Sequence, residues 1–272
     1  MSDESGARAI AFFDVDNTLL RGASLYHLGV GAWRMRFISL ADILSFGWNQ
    51  TRFLAVGENG VNIARLRLRA MDIITGHTRD ELVGLSHDIF DSRLIHRLWP
   101  ETVAVAHAHL QAGREVWLVT ATAQEVADVI AVRLDLTGAL GTRLATVDGI
   151  FTGQLIDGIC HGSRKAVVAR GLAEARGIDL ALCWAYSDSH NDIPLLNLVG
   201  HPVVVNPDAT LGRYAEARGW PAMRLKTASI KAAARAARAV PSPSPSPSPS
   251  PSTSPTSSPS SSPSSPGKSK KR

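Results

Sequence analysis

"AIAFFDVDNTLL", residues 9–20, sets two carboxylates, Asp14 and Asp16, at the end of a short apolar run. A run of that length and character suits a strand buried on both faces. A buried carboxylate is costly unless it is paired, hydrogen-bonded or bound to a metal. Two of them, followed by Asn17 and Thr18, therefore suggest a polar site at the strand's carboxyl end. A plain strand end followed by an Asx turn or helix cap would use the same residue types. A calcium loop fits worse: counted from Asp14, it wants Gly where Leu19 stands and Glu where Leu25 stands.

Further along, the chain alternates. From Leu20 to about Pro100 there is no clear strand; "LADILSFGWNQTRFLA", "NIARLRLRAMDIITG" and "TRDELVGLSHDIF" all read as helices. Strand signals resume at 115–122 ("EVWLVTAT"), 142–149 ("TRLATVDG"), 182–189 ("LCWAYSDS") and 201–207 ("HPVVVNP"). Helical stretches such as "AQEVADVIAVRLDL" and "KAVVARGLAEARG" lie between some of them. This order predicts an α/β protein with a parallel sheet covered by helices on both faces, and "DGIFTGQLIDG" adds a hairpin. In open sheets of this kind ligands bind beyond the carboxyl ends of the strands. Three strands end in polar clusters there: Asp14 and Asp16; Thr120, Ala121 and Thr122; Ser187, Asp188, Asn191 and Asp192. Coincidence explains one such cluster more easily than three.

Composition narrows the class. The chain has 272 residues, 44% of them hydrophobic, enough for a sizeable core. No apolar stretch approaches the roughly 18 residues of a membrane span, and "MSDESGARAI" lacks the basic-then-apolar pattern of a secretory signal, so a cytoplasmic protein is expected. Cys160 and Cys183 have neither zinc-ligand spacing nor a secretory context and are expected to be reduced. The net charge of +5 conceals an asymmetry: residues 226–272 carry eight Lys or Arg and no acid, leaving −3 for residues 1–225. From Pro241 to Pro266 the chain is almost wholly Ser and Pro, a composition that cannot bury apolar surface and is expected to be disordered. Its "KSKKR" end offers weak contact with an anionic membrane surface, and no specific nucleic-acid binding is expected. The oligomeric state is left open.

Taken in order, "DVDNT", "LVTAT", Lys165 in "CHGSRK" and "YSDSHNDIPLL" resemble the four motifs of the haloacid dehalogenase (HAD) superfamily, in its phosphoserine-phosphatase-like branch, subfamily IB. The resemblance covers roughly residues 9–225. It implies a Rossmann-like parallel sheet with a helical cap inserted after the first strand: a catalytic core in 1–20 and 101–225 and a cap in 21–100; beyond the resemblance, a basic C-terminal helix is expected in 226–240 and a disordered Ser/Pro-rich tail with a basic end in 241–272.

The implied chemistry is phosphomonoester hydrolysis. Asp14 would be the nucleophile, forming an aspartyl phosphate, and Asp16 the acid and base that protonates the leaving alcohol and then deprotonates water. Thr120, backbone amides near Ala121, and Lys165 would hold the phosphoryl oxygens, and Asn191 would orient the phosphate or the bound aspartate. Magnesium would bind to Asp14, the backbone carbonyl of Asp16 and Asp188, with Asp192 nearby or water-bridged. Thr122, Ser187 and Ser189 read as strand-end hydroxyls that cap backbone. His107 and His109, two residues apart, lie on different faces of a helix and make no metal pair. A phosphoserine phosphatase carries a Glu shortly after the first motif, whereas "LLRGASLYHLG" has no acid. Another small-molecule phosphate, or a lipid phosphate, is therefore the expected substrate. A non-catalytic regulator on the same fold and a phosphotransferase are the alternatives.

Overall fold

The computed structural model describes residues 8–22, 24 and 74–239. The first strand, β1 (Ile10–Phe13), is fully buried, and its side chains alternate between two cores. Ala11 and Phe13 join one apolar cluster with Leu82, Ile89, Ala106, Val126 and Ile130. Ile10 and Phe12 join the other with Ala166, Ala169, Leu195, Val204 and Leu211. A strand covered on both faces needs no polar alternation, which is why this one reads as an unbroken apolar run.

Around β1 stand β2 (Glu115–Ala123), β3 (Gly138–Thr142), β6 (Trp184–Ser187), β7 (His201–Val205) and β8 (Ala222–Met223), in the order β3-β2-β1-β6-β7-β8, with every pairing parallel. The helices are α1 (Arg79–Ile89), α2 (Pro100–Gln111), α3 (Gln124–Arg133), α4 (Ser163–Arg176), the short α5 (Ile193–Leu196), α6 (Ala209–Glu216) and α7 (Thr227–Ala239). Helix α1 starts with a reciprocal cap, in which Thr78 Oγ1 accepts from the Glu81 amide and Glu81 Oε2 accepts from the Thr78 amide, then widens into a π turn over Phe90–Leu94. The first-strand-to-sheet plan and the helices after the second and third motifs agree with the sequence.

One strand is corrected. Of residues 142–149 only Thr142 belongs to the main sheet, as the end of β3; β4 (Leu144–Val147) pairs antiparallel with β5 (Ile150–Leu155) in a separate hairpin. The sheet's edge is β3 instead, "GALGT", whose glycines hid it. A Cβ on Gly138 would lie 2.7 Å from the Trp117 ring, and one on Gly141 would lie 2.8 Å from Gln124 Cα. These glycines serve close approach, which a propensity reading takes for a turn. Of the stretch 21–100 expected as a cap, residues 23 and 25–73 lie outside the described residues. Residues 79–94 pack through Leu82, Leu85, Ile89, Phe90 and Leu94 against the core that also holds α3. Among the described residues no helix is long and apolar enough to cross a membrane.

Candidate active site

Strand register assembles the site. Phe13 pairs with Leu118 on β2 and with Tyr186 on β6, so Asp14, one step on, stands between Val119 and Ser187 at the carboxyl end of the sheet. Its amide donates to the Tyr186 carbonyl at 3.0 Å, which locks that level. The chain then turns at Asn17, in the left-handed region at φ 59°, a conformation Asn tolerates better than most residues. Thr18, fully buried, reaches back to donate to Asp14 Oδ2 at 3.2 Å.

Lys165 closes the site from the other side. It lies in the first turn of α4 and is 3% exposed, and its Nζ donates to Asp14 Oδ1 at 2.5 Å and to Asp192 Oδ2 at 2.7 Å. Ser187 Oγ also donates to Asp192 Oδ2, at 2.7 Å, while Asp192 Oδ1 is buried with no partner. Asp188 is half-buried.

The electrostatics follow from one ammonium facing several acids. Burial raises the pKa of Asp14 most; Lys165 opposes it, while Asp192, Asp188 and Asp16 add to it, and the carboxyl is pushed up to about 8. Burial and then Asp192 raise Asp188 to about 6 against the pull of Lys165 and Asn17. Burial works to lower Lys165, yet Asp14 and Asp192 outweigh it and hold the ammonium charged. The cluster carries an excess of buried negative charge. Its hard oxygen donors and the unpartnered Asp192 Oδ1 fit a small divalent cation. Among the described residues no three acidic, His or Cys side chains are grouped to hold a metal ion by themselves.

Thr120, 1% exposed, ends the buried part of β2; its hydroxyl accepts from the Thr122 amide and donates to Thr122 Oγ1, both at 3.2 Å. The Ala121 carbonyl accepts from Thr142 Oγ1 at 2.8 Å. Asn191 is exposed, with its Nδ2 donating to Ser189 Oγ at 3.1 Å, and is not hydrogen-bonded to the acids. Ser189 does cap backbone, accepting from the Asn191 amide. Ser187 and Thr122 do more than cap: Ser187 holds Asp192, and Thr122 meets Ser24. Ser24 escaped the sequence reading altogether. It is fully buried, its amide donates to Asp16 Oδ1 at 2.7 Å, and its hydroxyl lies 2.9 Å from Thr122 Oγ1. It thereby ties the acid of the first motif to the hydroxyls of the second. Nothing in "RGASLY" signals this, because both contacts are made by the fold.

The haloacid dehalogenase-like hydrolase family matches residues 11–197. The chain is 47% identical over 213 residues to phosphoserine phosphatase SerB1 of Mycobacterium tuberculosis, covering 78% of this chain and 69% of that one. A solved structure of a protein of unknown function from Bordetella pertussis Tohama I superposes with a TM-score of 0.71 at 28% identity, covering 81% of this chain and all of that one. Phosphoserine phosphatase in its apo form shares the fold, with a TM-score of 0.57 at 15% identity over 83% of this chain and 98% of that one. The chain belongs to the haloacid dehalogenase-like hydrolases, in the phosphoserine-phosphatase-like branch.

Proposed function

We propose that this hydrolase of phosphoric monoesters works through an aspartyl phosphate on Asp14. The observation that carries the reading is the buried bridge from Lys165 Nζ to Asp14 Oδ1 and Asp192 Oδ2 at the carboxyl edge of the sheet. An ammonium held there neutralises part of the charge that an incoming phosphoryl group adds, and it aims one Asp14 oxygen while Thr18 aims the other. Magnesium, held by Asp14, the Asp16 carbonyl and Asp188, would supply the further positive charge that lets a carboxylate approach a phosphate. Asp192 is engaged by Lys165 and Ser187, which suits a supporting role beside the metal rather than a direct bond to it.

In the first half-reaction an Asp14 oxygen bonds to phosphorus, the phosphorus–alcohol bond breaks, and Asp16 gives its proton to the leaving oxygen. In the second, Asp16 takes a proton from water, whose oxygen bonds to phosphorus as the bond to Asp14 breaks. The Ser24 amide fixes Asp16 by Oδ1, which leaves Oδ2 for the proton. Thr120, the amides near Ala121, and Asn191 would hold the phosphoryl oxygens.

The substrate is a small-molecule phosphomonoester other than phosphoserine, because the stretch after Asp16 supplies no carboxylate for an ammonium. A lipid phosphate belongs to the same reading through the apolar, aromatic sequence at 28–48, which lies outside the described residues. The free, buried Cys160 and Cys183 support a cytoplasmic location. The test is a screen of phosphoserine, polyol phosphates and lysophosphatidate ranked by kcat/KM, run beside Asp14→Asn. Loss of all hydrolysis in that variant supports the nucleophile, and phosphoserine leading by a hundredfold would overturn the substrate reading.

A further inference from the structure

We propose that Asp208, through its contact with His190, is a positioning residue for the magnesium-binding loop at Asp188; this rests on the metal-dependent reading above. Asp208 caps α6 in the ordinary way, with Oδ1 accepting from the Thr210 amide at 2.9 Å and the Leu211 amide at 2.8 Å. Its second oxygen goes elsewhere. Oδ2 accepts from the His190 amide at 2.7 Å and from His190 Nδ1 at 2.9 Å, and the Asp208 amide donates to the Asp188 carbonyl at 2.9 Å.

A helix cap needs one acceptor, and Asn or Ser would supply it. Only a carboxylate offers two acceptor oxygens with no donor, so only Asp or Glu can take four N–H groups here, and Glu is too long for the cap. Burial works to raise the pKa of Asp208, but the amides of Leu211 and His190 and the His190 ring hold it below the usual carboxylate range. The loop so fastened, 188–192, carries Asp188, Asn191 and Asp192. The run's other fastenings are Lys165 and Ser187 on Asp192 and the local bonds of Ser189 with Ser187 and Asn191. Asp208 joins it to the exit of the neighbouring strand β7, through His190 and the Asp188 carbonyl. Outer partners of metal-ligating groups typically change metal affinity 10–100-fold when removed.

The experiment compares wild type, Asp208→Ser and His190→Ala by thermal shift and by activity, each titrated with magnesium chloride alone as the added cation. Asp208→Ser keeps the helix cap and loses both bonds to His190; His190→Ala loses the ring bond and keeps the amide bond. The expected result is a magnesium midpoint raised about tenfold in Asp208→Ser and less in His190→Ala, in both readouts, with the metal-free melting temperature close to wild type. An Asp208→Ser midpoint equal to wild type would overturn the positioning role and leave Asp208 a helix cap. A wild-type protein indifferent to magnesium in both readouts would instead overturn the metal-dependent reading on which this rests.

Discussion

Asp14→Asn separates catalysis from stability. The substitution removes the nucleophile at nearly constant volume, and both contacts can survive it: the amide oxygen accepts from Lys165, and the amide nitrogen donates to Thr18, whose hydroxyl rotates to accept. Turnover should fall by roughly four orders of magnitude, as when other activated nucleophiles are removed. Stability should move the other way when no metal is bound. The unfolded carboxyl, near 3.8, has released its proton at pH 7, while the native one, pushed up to about 8, keeps it. Each pH unit across that interval is worth about 1.4 kcal/mol, so Asp14 costs the metal-free fold at most about 4 kcal/mol. Relaxation and water entry leave about half, and Asn escapes that cost, which corresponds to a rise of roughly 4–8 °C in melting temperature. Differential scanning in excess chelator reads the shift, and magnesium should narrow it by stabilising wild type alone. A variant that melts below wild type in chelator, or that still hydrolyses an aryl phosphate at the wild-type rate, would refute the reasoning.

Chelation should abolish hydrolysis, magnesium should restore it, and calcium should restore it poorly because its longer, looser coordination misplaces Asp14; activity assayed in excess chelator checks this. His109 is buried, with Nε2 2.8 Å from the Tyr186 hydroxyl and Nδ1 3.2 Å from Arg114, which can only donate, so the ring proton lies on Nε2. Burial, and then Arg114, lower its pKa from 6.5 to about 4. The unfolded chain therefore binds the extra proton first. The stability from His109 is full above pH 6.5 and is lost as pH falls toward 4, at most about 3 kcal/mol, and His109→Gln should flatten that slope in denaturant melts. A chain ending at Val240 should keep its turnover and melting temperature, since a Ser/Pro sequence buries no core; a fall of many degrees in a thermal melt would contradict this.

The sequence alone determined the parallel plan of the sheet and the polar edge where three of its strands end. An apolar run such as Ile10–Phe13 reads as a doubly covered strand because burial on both faces removes any polar alternation. Acids and hydroxyls at the ends of β1, β2 and β6 read as a site because buried polar groups need a purpose. Those are local properties, written in consecutive residues. Tertiary structure decided the rest. Lys165 could be named from motif order, but only packing shows it bridging Asp14, 151 residues away, and Asp192. Strand β3 was lost among glycines whose use, close approach to Trp117 and Gln124, exists only once the sheet has formed. Ser24 and Asp208 gave no signal at all, because a serine or a capping aspartate is ordinary in sequence. What distinguishes them is an amide or carboxylate oxygen brought within hydrogen-bond reach of a distant loop, and chain-distant proximity is what folding adds.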